Sequence, residues 1–362
     1  MGIEITSSGV SKTYRYYPYD AFYVDANGNV NTSGNGQQVK EAWFNGVKYY
    51  PDETDNVCKA LIYEEASGVP LTDDSVGCYP EVLICTKKYS QLNSQAPSLI
   101  PYAKSHSKNT RIPSRLILPS CTKIYDSAFD SNASLISIDL PSCKQLINGP
   151  FFSCSSLTDV SIPVCELVGS DSFFYCSALP SINMPNCTEI GLSAFEGCSS
   201  LVSVNAPLCE VISNYAFSRC TSLKNISLPS CQTMGASAFS ISGIEAVQAQ
   251  VCTSIGGSGF SNTGLLEISA SDLPSLEGVS NDTFSSCYNL ETVELPNCLT
   301  VGGYGFDSDK SLREVRIPKC TKIYNYAFNN CRKLETVYVA SGCDIGRYAF
   351  NNVSPKPSVI YV

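Results

Sequence analysis

Cysteine is the residue type in this sequence that could carry most chemistry, because 19 cysteines occur beside one histidine, His106. Zinc sites need paired ligands at short spacing, and no C-x-x-C pair occurs. Neighbouring strands are close enough for disulfides, but cysteines that recur for packing reasons behave as small apolar side chains. We therefore expect free thiols in the repeats described below, and Cys58, Cys78 and Cys85 are the better disulfide candidates. No metal and no cofactor is predicted.

Catalytic motifs in the sequence are weak. A Ser-His-Asp triad would have to use His106, which lies in a polar run typical of a surface loop. Glu64-Glu65 and Asp73-Asp74 could supply glycosidase-style acids, but they resemble solvated loop charges. The segment 256–259 has the glycine content of a phosphate loop without its lysine or its strand-to-helix context. We predict that the protein is not an enzyme, with an enzyme in the N-terminal region as a remote alternative.

Composition narrows the class of protein further. Hydrophobic residues make up 43% of the 362 residues and charged ones 16%, so a packed core is expected rather than disorder. The formal net charge of −9 would repel a phosphate backbone, which argues against nucleic acid as a partner. No run of 18 apolar residues occurs, so no transmembrane segment is predicted.

A repeat of about 22 residues organises the chain from residue 116 onward. Its clearest marker is a phenylalanine, present in eleven units at Phe129, Phe151, Phe173, Phe195, Phe217, Phe239, Phe260, Phe284, Phe306, Phe328 and Phe350. Ten residues before it, nine units carry a proline, and eight residues before it, nine units carry a cysteine. A second cysteine follows three residues after the phenylalanine in six units. Four columns in register make a repeat architecture the only reasonable interpretation.

One unit explains the pattern physically. Val160 and Ile162 alternate with polar neighbours, which indicates a half-buried strand, and Pro163 ends the strand. The apolar spacing from Phe173 to Leu179 predicts one or two short helical turns. A unit this short cannot bury its apolar residues alone, so stacking is required. The predicted fold is an α/β repeat solenoid, right-handed, with about eleven units and one parallel sheet.

These motifs resemble a known family. The run Leu157-x-x-Val160-x-Ile162-x-x-Cys165 matches the leucine-rich-repeat segment, and the longer consensus L-x-x-V-x-L-P-x-C-x-x-I-x-x-x-A-F-x-x-C resembles the BspA-like (Treponema-type) class over roughly residues 98–362. The extra cysteine in the turn departs from that class. The resemblance implies a bacterial or phage origin and a role in surface attachment or adhesion, usually without enzymatic activity.

The chain before the repeats differs in composition. Residues 1–97 contain Trp43 and two Asn-Gly turn signals and lack the repeat columns. We predict a small β-rich N-terminal domain or cap in residues 1–97, a linker or degenerate repeat in 98–115, and the solenoid in 116–362. No secretory signal is visible at the N-terminus. Because of the family resemblance, we nevertheless expect an extracellular or bacterial cell-surface location.

The outward positions of the strands are the candidate binding face, because function in a solenoid lies on exposed positions. In the first half of the solenoid these positions carry short polar side chains. The second half adds Arg316 and Tyr338, residue types that are typical of binding hot spots. The predicted binding residues are Glu267, Thr292, Glu294, Glu314, Arg316, Thr336 and Tyr338. A further loop site is predicted at the register break, where the 22-residue spacing lapses and three extra residues, Ser271, Asp272 and Leu273, are inserted. The expected function is recognition or adhesion by binding a protein or a carbohydrate. A structural spacer and a phage tail-fibre or receptor-binding module are the alternatives.

The C-terminal segment Ser358–Val362 predicts a last strand whose outward residue, Ile360, is apolar. Uncovered apolar edge strands tend to pair with other chains. Weak self-association through this strand is therefore expected, or else a further segment that covers it in the native protein.

Overall fold

The structure of the chain is a computed structural model that describes residues 115–118, 121–125 and 127–362, together with short strands in residues 1–114. The early strands are β1 (Glu4–Ile5), β2 (Tyr23–Val24), β3 (Val30–Asn31), β4 (Gln37–Gln38), β5 (Ala42–Phe44), β6 (Val47–Tyr50), β7 (Ala60–Tyr63), β8 (Val82–Cys85) and β9 (Gln91–Leu92). Cys58, Cys78, His106 and the acidic pairs lie outside the described residues. Cys85 is the last residue of β8, and its pairing in a disulfide stays a prediction.

From residue 115 each turn of the solenoid contributes two short strands. The first series consists of β10 (Arg115–Ile117), β12 (Ser137–Asp139), β14 (Asp159–Ser161), β16 (Ser181–Asn183), β18 (Ser203–Asn205), β20 (Asn225–Ser227), β22 (Ala246–Gln248), β24 (Glu267–Ile268), β26 (Thr292–Glu294), β28 (Glu314–Ile317), β30 (Thr336–Val339) and β32 (Ser358–Tyr361). The second series consists of β11 (Lys123–Tyr125), β13 (Gln145–Ile147), β15 (Leu167–Val168), β17 (Glu189–Ile190), β19 (Val211–Ile212), β21 (Thr233–Met234), β23 (Ser254–Ile255), β25 (Gly278–Val279), β27 (Thr300–Val301), β29 (Lys322–Ile323) and β31 (Asp344–Ile345).

All strand pairings within these two series are parallel, and each joins equivalent residues of neighbouring turns. Ser137 pairs with Asp159 in the first series, for example, and Lys322 pairs with Asp344 in the second. The protein is therefore a parallel β-solenoid of about eleven turns. The prediction of one parallel sheet was wrong, because the segment after each cysteine forms a second set of strands rather than a simple turn. The right-handed winding stays a prediction.

Both strand series are interrupted near the point where the repeat changes length. Hydrogen-bonded strand pairing in the second series stops between β23 and β25. In the first series it stops earlier, between β14 and β16 and between β18 and β20, and again between β22 and β24. The three residues inserted after β24 lie at this point. The stacked rings of Phe260 and Phe284 are also 5.8 Å apart there, the widest step in a column whose other steps are 5.0 to 5.5 Å. The phenylalanine column therefore continues through the insertion although strand pairing stops there in both series.

The predicted helical turns are absent from the described residues, so the α/β assignment is not confirmed. The residues two before and two after the phenylalanine have positive φ in most turns, as at Tyr215 (58°) and Arg219 (62°). This left-handed backbone cannot continue a helix. Backbone N–H groups here donate instead to carbonyls of the next turn, as the Phe217 N–H does to the Ala238 carbonyl at 2.7 Å. Apolar spacing alone could not distinguish these turns from a helix.

The core consists of the repeat columns. The phenylalanine rings stack face to face along the solenoid, and ten of the eleven are fully buried. The cysteines of residues 115–362 are buried free thiols. In the second cysteine column each thiol donates to the phenylalanine carbonyl of the preceding turn, as Cys154 does to Phe129 at 3.1 Å. Burial raises the pKa of Cys143 to about 11 and that of Cys154 to about 12, so these thiols stay protonated.

Parallel pairing continues into the N-terminal region. Strand β10 pairs with β8, β8 pairs with β7, and β11 pairs with β9. Two further small sheets are antiparallel, β1-β5-β6 and β3-β2-β4. The division into residues 1–97, 98–115 and 116–362 stays a prediction. Within the described residues, no helix has the length and apolar character needed to cross a membrane.

Candidate functional site

The predicted binding residues come together on the outer face of the last strands. Register places Glu267, Thr292, Glu294, Glu314, Arg316, Thr336 and Tyr338 in two parallel rows, and this set is called the C-terminal face below. One row runs Glu267, Thr292, Glu314, Thr336, and the other runs Glu294, Arg316, Tyr338. Alternation along each strand explains the placement, because Val293, Val315 and Val337 between them point into the core.

Arg316 lies at the centre of the C-terminal face and contacts two neighbours. Its Nε donates to Glu314 Oε1 at 2.6 Å, and its guanidinium carbon lies 4.0 Å from the centroid of the Tyr338 ring. The hydrogen bond to Glu314 raises the pKa of the Arg316 guanidinium above its usual value. A guanidinium held flat on an aromatic ring is pre-organised, so less side-chain entropy is lost when a ligand covers it.

Tyr338 and Ile360 continue the same row toward the last strand. Ile360 pairs in register with Tyr338 and is 39% exposed, which adds an aliphatic surface beside the aromatic ring. The C-terminal face therefore offers acidic, cationic, aromatic and aliphatic groups side by side. This combination is typical of the anchor residues of protein interfaces.

The same face in the first half of the solenoid is chemically different. Its side chains are short and polar, and two pairs of them bond across turns: Ser137 Oγ donates to Asp159 Oδ2 at 3.0 Å, and Asn205 Nδ2 donates to Asn183 Oδ1 at 2.7 Å. Such pairs leave fewer groups to bind a ligand.

The predicted loop site at the register break is only partly on the surface. The side chain of Leu273 is fully buried, so it cannot contact a ligand and that residue of the prediction was wrong. Asp272 Oδ2 accepts hydrogen bonds from the N–H and the hydroxyl of Ser269, both at 2.7 Å. Asp272 thus holds the inserted turn together, and ligand binding by Ser271 and Asp272 stays a prediction.

Other sequence-based candidates do not form a chemical site in the described residues. Gly256 and Gly259 lie in an ordinary turn of the solenoid, where the Gly259 N–H donates to the Gly256 carbonyl. Among the residues that the structure describes, no group of three or more His, Cys, Asp or Glu side chains could hold a metal ion.

The sequence analysis missed a column of stacked tyrosines, of which Tyr304 and Tyr348 are exposed and Tyr326 is half-buried. The rings of Tyr304, Tyr326 and Tyr348 stack at 5.3 and 5.5 Å along one edge of the last turns. Tyr304 and Tyr326 have positive φ, and all three tyrosines occupy a position where most other turns place Ser, Asp or Gly. Their spacing of 22 residues, two before the phenylalanine, was the signal that could have revealed them.

These features define a leucine-rich-repeat solenoid. A family model of the BspA type leucine rich repeat region, described with six copies, matches residues 102–202, 164–266 and 247–356, which is more than half of the chain. The chain belongs to this BspA type leucine-rich-repeat family.

Solved structures of bacterial repeat proteins are similar to this chain at low identity. A leucine rich cell surface protein from Faecalibacterium prausnitzii is 19% identical, with 77% of this chain and 89% of that one covered and a TM-score of 0.40. A leucine-rich repeat protein from Bacteroides ovatus is 18% identical, with 75% and 92% covered and a TM-score of 0.47. A leucine-rich repeat protein from T. pallidum is 20% identical, with 64% and 81% covered and a TM-score of 0.29. No curated protein matches the chain.

Proposed function

We propose that the protein is a non-enzymatic recognition module that binds a protein ligand through the C-terminal face at a bacterial cell surface. The observation that carries the proposal is the stacking of Arg316 on Tyr338 beside Glu314 and the exposed Ile360. Membership of a leucine-rich-repeat family supports a binding role, because stacked repeats present extended surfaces for partners.

Binding on this face would act through two kinds of contact. The ring of Tyr338 and the side chain of Ile360 supply apolar area that loses water when a partner covers it. Arg316 keeps its hydrogen bond to Glu314 while its remaining N–H groups donate to acceptors of the partner. Glu294 and Glu267, at the rim, favour a partner with basic groups opposite them.

The test uses purified secreted proteins presented to the immobilised chain, followed by measurement of Kd for any protein that binds. Arg316→Ala and Tyr338→Ala are each expected to weaken binding by about 2 kcal/mol, roughly 30-fold in Kd. The matched control is Ser181→Ala with Asn183→Ala, on the same face of the first half, which should leave Kd unchanged.

Unchanged affinity in both C-terminal variants would contradict this placement of the ligand. If the chain binds none of the proteins, the structural spacer and the phage tail-fibre module become the better interpretations.

A further inference from the structure

A row of cations lies on a different surface, in the turns between the stacked phenylalanines and the first strand series. Lys310, Arg332 and Lys333, called the cationic ridge below, are exposed residues that lie between buried ones. Lys310 and Arg332 each follow the phenylalanine of their turn by four residues. In the turn before Lys310 the same position holds Tyr288. In the six turns before that one it holds small uncharged residues, Ser155, Ser177, Ser199, Thr221, Gly243 and Gly264.

The spacing along the ridge is that of the solenoid. The rings of Phe284, Phe306 and Phe328, four residues before Tyr288, Lys310 and Arg332, are 5.3 and 5.2 Å apart. The residues that follow the ridge in each turn are also in register, because the Glu335 N–H donates to the Arg313 carbonyl of the preceding turn at 2.9 Å. Tyr288, Lys310 and Arg332 therefore form one line, with Lys310 Nζ 4.7 Å from the Tyr288 ring centroid.

The charges of the ridge are not compensated by its neighbours. Within the described residues, Lys310, Arg332 and Lys333 form no ion pair, whereas Arg313 pairs with Glu335 at 3.4 Å and Lys322 pairs with Asp344 at 2.7 Å. Asp309, which directly precedes Lys310, is fully buried, and burial raises the pKa of its carboxyl well above the usual value. Burial thus favours the uncharged form of the Asp309 carboxyl, which is also enclosed in the core rather than exposed beside the ridge.

The ridge belongs to a basic end of an acidic chain. Residues 303–362 contain nine Lys and Arg and five Asp and Glu, although the whole chain has a net charge of −9. A negatively charged partner is therefore attracted to the last turns and repelled from the rest of the surface. The attraction is local, so it suits a short stretch of a polyanion.

Tyr288 indicates which polyanion fits. The ring is 46% exposed, one face lies under Lys310, and the equivalent position in the preceding turn is Gly264, which has no side chain to cover the other face. An open aromatic face stacks well on the C–H face of a sugar ring. Anions on successive sugars of a linear polymer recur at about the length of one ring, which is comparable to the spacing of the solenoid turns.

We propose that the cationic ridge and Tyr288 bind a linear acidic polysaccharide, with sulfate or carboxylate groups on Lys310, Arg332 and Lys333 and one sugar ring on Tyr288. This site is separate from the C-terminal face, so Arg316→Ala and Tyr338→Ala leave polysaccharide binding unchanged. Binding weakens as salt rises, because each cation–anion contact releases counterions.

The test measures binding of the full chain to heparin, polygalacturonate, uncharged dextran and poly-L-glutamate over a series of salt concentrations. Replacing Lys310, Arg332 and Lys333 together by Ser is expected to weaken binding to at least one acidic polysaccharide by on the order of tenfold or more at low salt, and to reduce the salt dependence. The matched control replaces Lys144, Arg219 and Lys224 by Ser, which changes net charge equally in the first half. Circular dichroism verifies that each variant is folded.

Tyr288→Ser separates a polysaccharide site from a merely cationic one. It should weaken polysaccharide binding several-fold and leave binding of poly-L-glutamate unchanged. The proposal is overturned if neither acidic polysaccharide binds, if the control variant loses as much affinity as the ridge variant, or if poly-L-glutamate binds as tightly and Tyr288→Ser has no effect. The last result would assign the ridge to acidic peptides.

Discussion

Asp309 shows how one residue can break a repeat column at a measurable cost. It occupies the position that is cysteine in six other turns, and its side chain is fully buried. Oδ1 accepts the Cys287 N–H at 2.7 Å, while Oδ2 has no hydrogen-bond partner. Burial raises the pKa of the Asp309 carboxyl well above its usual value, and the charge of Asp307 adds to the shift. The buried thiols of Cys287 and Cys331 face it from the adjacent turns.

The pH dependence of stability follows from this burial. Below the ordinary Asp pKa of about 3.9, the carboxyl is protonated in both the folded and the unfolded chain. As the pH rises above that value, the unfolded chain releases a proton that the folded protein retains. This residue therefore lowers the free energy of unfolding by about 1.4 kcal/mol per pH unit until the pH reaches the raised pKa.

Asp309→Cys should restore the column, because a thiol at this position can donate to the Phe284 carbonyl as the other cysteines do in their turns. We expect the variant to be more stable than the parent, by a margin that grows as the pH rises above about 4 toward the raised pKa of Asp309. Urea unfolding at a series of pH values from about 4 upward measures the margin. The exposed Asp159→Ser is the control, for which no growing margin is expected, and a constant margin for Asp309→Cys would contradict the assignment.

At the scale of the strand and its turn, glycine sets how closely the turns stack. A Cβ added at Gly302 would lie 2.9 Å from the Asn281 backbone nitrogen and 2.8 Å from its Oδ1. At the neighbouring Gly303 the closest atom would be the Asn325 carbonyl oxygen at 3.4 Å, which is ordinary contact. The two positions therefore make a matched pair.

Gly302→Ala is expected to destabilise the protein by about 1 to 3 kcal/mol, because the backbone of the preceding turn must move. Gly303→Ala should be neutral or stabilising by up to about 1 kcal/mol, because alanine restricts the unfolded chain. Denaturant midpoints of the two variants give the comparison. Equal effects would show that the turns are not packed as tightly at Gly302 as the structure indicates.

Across the whole molecule, stability should vary along the solenoid, because each turn contacts mainly its neighbours. Strand β28 pairs with β26 on one side and β30 on the other, whereas β32 pairs only with β30 in the described residues. Phe350 and Val359 of the last turn are only partly buried. Local opening is therefore easier at this end.

Hydrogen exchange followed by mass spectrometry should find the amides of β32 exchanging at least about tenfold faster than those of β28, which corresponds to roughly 1.4 kcal/mol of opening free energy. Ile360→Lys should not slow exchange in β32. Equal protection of the two strands at low protein concentration would contradict the expectation. Protection of β32 that rises with concentration would instead support the predicted weak self-association through this strand, which otherwise stays a prediction.

Much of this architecture is contained in the 22-residue spacing. A column that recurs once per turn must be buried or exposed throughout, so the sequence identified the stacked phenylalanines and the buried cysteines. It also identified the outward strand positions, including Arg316 and Tyr338. Local spacing was sufficient because every turn repeats the same environment.

Other features depend on contacts between turns and were decided only in three dimensions. The apolar spacing after Phe173 fits a helix, but sideways hydrogen bonds between turns favour a left-handed backbone and a second set of strands instead. Leu273 and Asp309 are buried although one lies in an insertion and the other is acidic. Stacking of Arg316 on Tyr338 and the open face of Tyr288 likewise require the register of neighbouring turns. Residues 22 positions apart become neighbours only when the solenoid closes each turn, and their contacts then decide burial, charge and binding.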